Sequence, residues 1–72
     1  MMAHPNEGAR DRFGNPLRCG DTVTDALDRH WLLTGRVSET TEGIEYVEAF
    51  DAELGVRWLV ACLTATSGRC DA

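Results

Sequence analysis

The chain of 72 residues contains no lysine, so all seven of its basic residues are arginine. The lysine that binds phosphate in a nucleotide-binding P-loop is therefore missing, and that class of site is excluded. Residues 1–18 hold three arginines against two acids, a net charge of +1, and residues 19–72 hold four against ten, a net of −6. The folded part lacks the positive surface that binds phosphate backbones, and we expect no nucleic-acid partner.

Long apolar runs and regularly spaced cysteines are also missing. The longest apolar run, Trp58 to Leu63, is far too short to cross a bilayer, and the N-terminal residues lack the apolar segment of a secretory signal. The cysteines, Cys19, Cys62 and Cys70, are odd in number, and no two have the close spacing of a zinc knuckle. We expect a cytoplasmic protein with no membrane partner, metal or cofactor. Cys62 lies in the apolar run, which predicts a buried, unreactive thiol.

A chain of this length makes one domain with a small core. A domain of about 60 residues buries only about 60% of the surface that its unfolded chain exposes. The hydrophobic content of 43% is nonetheless ample for a globular chain. Apolar surface that the small core cannot bury is available for contact with another chain, so the composition predicts a homo-oligomer.

Short segments rich in β-branched and aromatic residues recur along the chain, separated by Gly, Asp or Thr. They predict four or five strands, over about 21–25, 32–39, 44–50, 56–61 and, shortest, 63–66. Gly35, inside the second strand, predicts a bulge or a close backbone approach.

Composition also divides the chain into three regions. Residues 1–18 contain Pro, Gly, Asn and alternating charges without apolar periodicity, which predicts a flexible N-terminal arm. The folded domain is predicted over residues 19–66, followed by a loose tail over 67–72.

The segment 41–54 also fits a helix. Five apolar residues fall on one side of a helical wheel, with acids on the other: Ile44, Tyr46, Val47, Phe50 and Leu54. Gly55 then stands where a helix C-cap glycine belongs. Periodicity alone would make the fold α+β, with a helix at about 41–54.

A family resemblance favours the strand. The order Gly-Asp-x-Val from Gly20, Thr-Gly-Arg-Val from Thr34, Tyr-x-x-x-Phe-Asp from Tyr46 and Arg-Trp-Leu-Val from Arg57 resembles the small SH3-like barrels, including KOW-type and Tudor-like domains. The resemblance covers residues 20–63 and implies an all-β barrel of four to five short strands. Such barrels mostly bind peptides, modified side chains, nucleic acids or copies of themselves. The resemblance therefore implies a protein-interaction module, acidic in this chain, that binds a protein partner or itself.

An enzyme is the alternative from a different class. The type II dihydrofolate reductases use a similar barrel, four of which enclose an active pore lined by a Val-Gln-Ile-Tyr run. The corresponding run here is Arg57-Trp58-Leu59-Val60, and the chain has no glutamine. Asp25, Asp28 and His30 lie close together in sequence, but such residues in loops are most often turn formers. We therefore predict no catalytic residue and no enzyme, and keep a ligand binder or enzyme at an oligomeric pore as the alternative.

Acidic residues follow one another without an intervening base in the middle of the chain. We interpret them as a solvated acidic face that keeps a small barrel soluble. The alternative is an inhibitor that imitates nucleic-acid phosphates. The residues are Glu39, Glu42, Glu45, Glu48, Asp51 and Glu53.

The aromatic residues give the candidate binding site. Trp31 stands beside two leucines at the end of a polar loop, which predicts an exposed anchor for a partner or a second subunit. Trp58 and Phe50 are predicted to lie in the core. The predicted partner-binding residues are Trp31, His30, Leu32 and Tyr46.

Overall fold

The computed structural model describes residues 9–68. Its elements are β1 (Thr22–Thr24), β2 (His30–Glu39), β3 (Glu45–Asp51), β4 (Gly55–Val60), a 3-10 turn (Ala61–Leu63) and β5 (Ala65–Gly68). No α-helix occurs among the described residues, so the all-β prediction is confirmed. The alternative helix at 41–54 is wrong, because this segment forms β3 and the turns on either side of it.

The five strands form one antiparallel sheet in the order β4-β3-β2-β1-β5. The chain meanders from β1 to β4, and β5 then returns to pair with β1. Within the described residues β4 and β5 do not pair, so the sheet is not closed and these two strands are its edges.

A bulge in β2 lies where the sequence predicts one. Leu33 pairs with Ala49 and Val37 pairs with Val47, so β2 has two more residues than β3 in this interval. Gly35 lies in it with φ of 98°, and a Cβ atom there would come within 3.0 Å of the Cβ of Cys19. Both the backbone angle and the close approach of Cys19 therefore require glycine.

The core is built around one large ring. Trp31 is only 4% exposed, and its Cα partner in β1 is the fully buried Val23. The indole Nε1 donates a hydrogen bond to Oδ2 of Asp25 at 3.0 Å. The rest of the core is made of smaller side chains, namely Ala9, Leu33, Val47, Ala49 and Ala61. Because the sheet is small, one tryptophan takes much of the interior volume and its neighbours are small.

Residues 9–18, which the sequence assigns to a flexible arm, are joined to the segment 64–66 by hydrogen bonds of Asp11 and Arg12. The buried carboxylate of Asp11 accepts hydrogen bonds from the backbone N–H and the hydroxyl of Thr66, at 3.0 and 2.8 Å. It also accepts from the backbone N–H of Asn15 at 2.8 Å. Burial alone would raise the pKa of Asp11, but these hydrogen bonds outweigh it and hold the pKa well below its usual range. Residues 1–8 and 69–72 lie outside the described residues.

Candidate protein-binding surface

Apolar side chains cross one face of the sheet and end at the β4 edge. Residues directly opposite each other in antiparallel strands share a face. Phe50 is opposite Leu32 on one side and Val56 on the other, and Trp58 follows two residues after Val56. These four side chains are each between 43% and 49% exposed. We call Leu32, Phe50, Val56 and Trp58 the apolar row.

A cleft of about 290 Å³ opens beside β4. One wall is the loop between β1 and β2, the other is the end of β4 with the 3-10 turn, and the lining residues are Asp25, Ala26, Leu27, Trp58, Leu59, Val60, Leu63 and Thr64. Leu27 is 87% exposed and Leu63 is 58% exposed. Trp58 belongs to both features, so the apolar row and the cleft adjoin at this residue.

Asp25 fixes the loop that forms the first wall. Besides the indole of Trp31, its carboxylate accepts hydrogen bonds from the backbone N–H groups of Leu27 and Arg29, at 2.8 and 3.0 Å. Asp28 has φ of 65°, which turns the loop back into β2. Burial raises the pKa of Asp25, but the hydrogen bond from Trp31 and those from the backbone outweigh it and lower the pKa. The carboxylate is thus ionised near neutral pH, with its oxygens engaged in holding the loop.

The turn that leads into β4 is fixed by a second carboxylate. Asp51 accepts hydrogen bonds from the backbone N–H groups of Leu54 and Glu53, both at 2.9 Å. The bond from Leu54 is the main cause of a lowered pKa for Asp51. The guanidinium of Arg29 lies 3.6 Å from Asp51 and 3.8 Å from Glu53. These ion pairs link the cleft loop to the start of the β4 hairpin.

The structure reverses the predicted positions of the large rings. Trp31 is buried, so the prediction of an exposed anchor is wrong, and Phe50 and Trp58 are exposed, so their prediction as core is also wrong. The physical reason is the alternation of side chains along a strand. Val47 and Ala49 point inward from β3, so Phe50, the residue after Ala49, points outward.

The other predicted partner-binding residues lie on the face of the apolar row. Leu32 is a member of the row, and His30, two residues before it on β2, is exposed on the same face. Tyr46 is half-buried on that face of β3, opposite Val60. Leu27, Val56 and Leu63, for which the sequence predicts no binding role, also lie in the row or the cleft.

The predicted acidic face is divided. Glu48 points to the face of the apolar row and accepts a hydrogen bond from the hydroxyl of Thr34 at 2.7 Å. Glu45 and Asp51, each three residues away along the strand, fall on the opposite face. Glu39, opposite Glu45, and Glu42 lie at the β2–β3 end, whereas Asp51 and Glu53 lie at the β3–β4 end beside Arg29. One continuous acidic surface is therefore not formed by these residues.

The cysteines that the structure describes, Cys19 and Cys62, are exposed free thiols. The buried position predicted for Cys62 is wrong, because it lies in the 3-10 turn and not in β4. Cys70 lies outside the described residues. Over residues 9–68, no group of three or more His, Cys, Asp or Glu side chains is arranged to hold a metal. In the same part of the chain, no helix has the length and apolar character to span a membrane.

No known family model, curated protein or solved structure matches this chain.

Proposed function

We propose that this domain is a protein-interaction module that self-associates, and that its binding surface is the apolar row together with the adjoining cleft. The observation that carries the proposal is the continuity of the row, from Leu32 through Phe50 and Val56 to Trp58. Contiguous exposed apolar surface is typical of protein-binding sites, whereas single apolar side chains scattered over a surface are ordinary.

The row also has the composition of an interface. Trp58 and Phe50 provide aromatic area, the kind of residue that dominates binding energy when it is covered. Leu27 and Leu63 extend the apolar surface on the cleft side of β4. Polar groups at its margin, such as His30 and Glu48, resemble the polar rim of a typical interface.

A small-ligand site or enzyme at an oligomeric pore is less well supported. The cleft of about 290 Å³ is at the lower limit of ligand pockets, which run from about 300 to 1,000 Å³. Asp25 is the one titratable residue in its lining, and it is already engaged with three N–H donors. A carboxylate with a lowered pKa is also a poor general base near neutral pH. An inhibitor that imitates nucleic acid is disfavoured by the division of the acids between two faces.

A matched pair of variants tests the proposal. Val56 is 49% exposed in the row, and Val37 is 45% exposed on β2, on the side of the sheet that Val47 faces. Val56→Ser should weaken self-association at least tenfold in sedimentation equilibrium, and Val37→Ser should leave it close to the wild-type value. Equal effects of the two substitutions, or no effect of either, would contradict the proposed surface.

A further inference from the structure

β4 is an edge strand without the features that usually prevent pairing with another chain. It runs for six residues, Gly55–Val60, and contains no proline, no lysine and a single charge, that of Arg57. Natural edge strands are commonly short, charged, interrupted by proline or covered by another segment. The other edge, β5, has four residues and is hydrogen-bonded to Asp11. Among the described residues, β4 is therefore the less protected edge, although its Val56 carbonyl accepts a hydrogen bond from the Arg57 guanidinium at 3.1 Å.

We propose that β4 pairs antiparallel with β4 of a second copy of this chain, with Trp58 at the two-fold axis. This inference rests on the proposed function and specifies the partner and the register. In such a dimer the same surface patch is used by both copies, so one residue lies opposite its own symmetry mate. The sheets of the two copies then join into one sheet across the interface.

The ends of β4 leave two possible registers. Before Gly55, which has φ of 80°, the chain turns, and from Ala61 it enters the 3-10 turn. Pairing of five residues from each copy is possible only with position 57 or position 58 at the axis. An axis at position 57 would set Arg57 directly against Arg57 of the other copy, and like charges in that position are destabilising.

An axis at position 58 avoids this repulsion. It sets Arg57 opposite Leu59 and Val56 opposite Val60, with the two Trp58 side chains adjacent. Val56, Trp58 and Val60 share one face of β4, so that face of the interface is apolar in both copies. The strand bounds and the single charge together select this register.

The net charge of −5 on each copy opposes association, but the acidic residue beside the proposed axis, Glu48, is largely screened from its symmetry mate. Glu48 lies opposite Trp58, one strand inward from the edge. The two copies of Glu48 are then three strand spacings apart, about 14 Å. This exceeds the Debye length of about 8 Å at physiological salt, so their repulsion is largely screened.

The exposed apolar area is also sufficient. A standard interface buries about 800 Å² on each partner, of which roughly 60% is apolar. The exposed apolar residues at and beside β4 are Leu27, Phe50, Val56, Trp58 and Leu63. With about 150–250 Å² for an aromatic side chain and less for Leu and Val, their exposed fractions amount to several hundred Å², the order of apolar area that such an interface needs.

Cysteine cross-linking tests the register. In a full-length background with Cys19, Cys62 and Cys70 replaced by serine, the double variant Val56→Cys/Val60→Cys places each new thiol opposite one of the other copy. Mild oxidation should convert it to a covalent dimer. Either single variant places its thiols four residues apart, about 14 Å, beyond the reach of a disulfide, and should remain uncross-linked.

Sedimentation and unfolded samples complete the experiment. Near-UV circular dichroism first shows that each variant folds like the wild type. Oxidation of each variant in urea, where no β4 pairing exists, then gives the amount of covalent dimer that forms without pairing. Two outcomes would overturn this register and leave the proposed function intact, provided that the wild type dimerises. In the first, the double variant forms no covalent dimer. In the second, a single variant cross-links as well as the double variant. A wild type that sediments as a monomer at every concentration overturns both the register and the proposed function.

Discussion

The two edges of the sheet differ in how they are covered. At β5, Asp11 of the same chain accepts hydrogen bonds from both the backbone and the side chain of Thr66, and the next residue, Arg12, donates its backbone N–H to the carbonyl of Thr64. At β4, no other described segment pairs with the outer edge, and Val56 and Trp58 are half-exposed there. The covered edge uses a buried carboxylate, which suits folding, whereas the bare edge presents apolar side chains, which suit binding.

The two tryptophans repeat this contrast. Trp31 is buried, with its indole N–H bonded to Asp25, and Trp58 is about half exposed beside the cleft. Substitution of the first should therefore affect folding, and substitution of the second should affect association.

The largest expected effect is that of Trp31→Ala. Loss of a buried tryptophan costs about 3–5 kcal/mol of folding free energy. A domain this small has a total stability of only about 5 kcal/mol, so the variant should be largely unfolded at room temperature. Thermal and urea unfolding followed by circular dichroism measure the effect. A variant that melts like the wild type would contradict the core position of Trp31.

Asp11→Ala should have the next largest effect. It leaves the donors of Thr66 and Asn15 without their shared acceptor, at a cost of about 2–3 kcal/mol. Glu42→Ala, at an exposed turn position, is the control and should change the urea midpoint little. If the two variants unfold at the same urea concentration, the carboxylate does not hold residues 9–18 against β5.

The pH dependence of stability follows from the same carboxylate. The pKa of Asp11 is lower in the folded than in the unfolded chain, where it is about 3.9. Its stabilisation is therefore fully present above about pH 4 and is lost as the pH falls further toward the folded pKa. Asp25 and Asp51 act in the same direction in both proteins, so Asp11→Asn should still lose stability in acid, but less steeply than the wild type because it lacks the contribution of Asp11. Parallel slopes for the two proteins below pH 4 would show that Asp11 is not a main contributor.

Trp58→Ser should have the smallest effect on folding. Surface substitutions usually change stability by about 0.5 kcal/mol or less, so its melting temperature should stay close to that of the wild type. Its self-association should weaken by about 2 kcal/mol or more, the range of interface hot spots. Sedimentation equilibrium and thermal melting on the same samples separate the two effects. Lost stability with unchanged association would reverse the roles assigned to the two tryptophans.

The strands were predictable because their signals are local. The third strand is predicted over 44–50 and lies at Glu45–Asp51, and Gly35 marked the bulge correctly. Residue types that favour strands, with glycines and acids at the turns, are read from a few neighbouring residues.

The faces of the strands were not predictable in the same way. His30-Trp31-Leu32-Leu33 and Val56-Arg57-Trp58-Leu59-Val60 place large apolar residues on both sides of the strand, so alternation does not identify the inner one. Which face of β2 points inward depends on the strands beside it. There the side chains of Val23, Val47 and Ala49 are small and leave room for one large ring. The contact of Asp11 with Thr66 joins positions 55 residues apart, and no local pattern indicates it.

The contrast between the two edges is tested most directly by amide hydrogen exchange at low and high micromolar protein concentrations. The Thr66 amide should be protected at both concentrations, because its acceptor is Asp11 of the same chain. The amides of β4 that face the free edge should exchange rapidly in the dilute sample and become protected in the concentrated one. Exchange of β4 amides that does not change with concentration, up to the limit of solubility, would contradict an edge that binds a second copy.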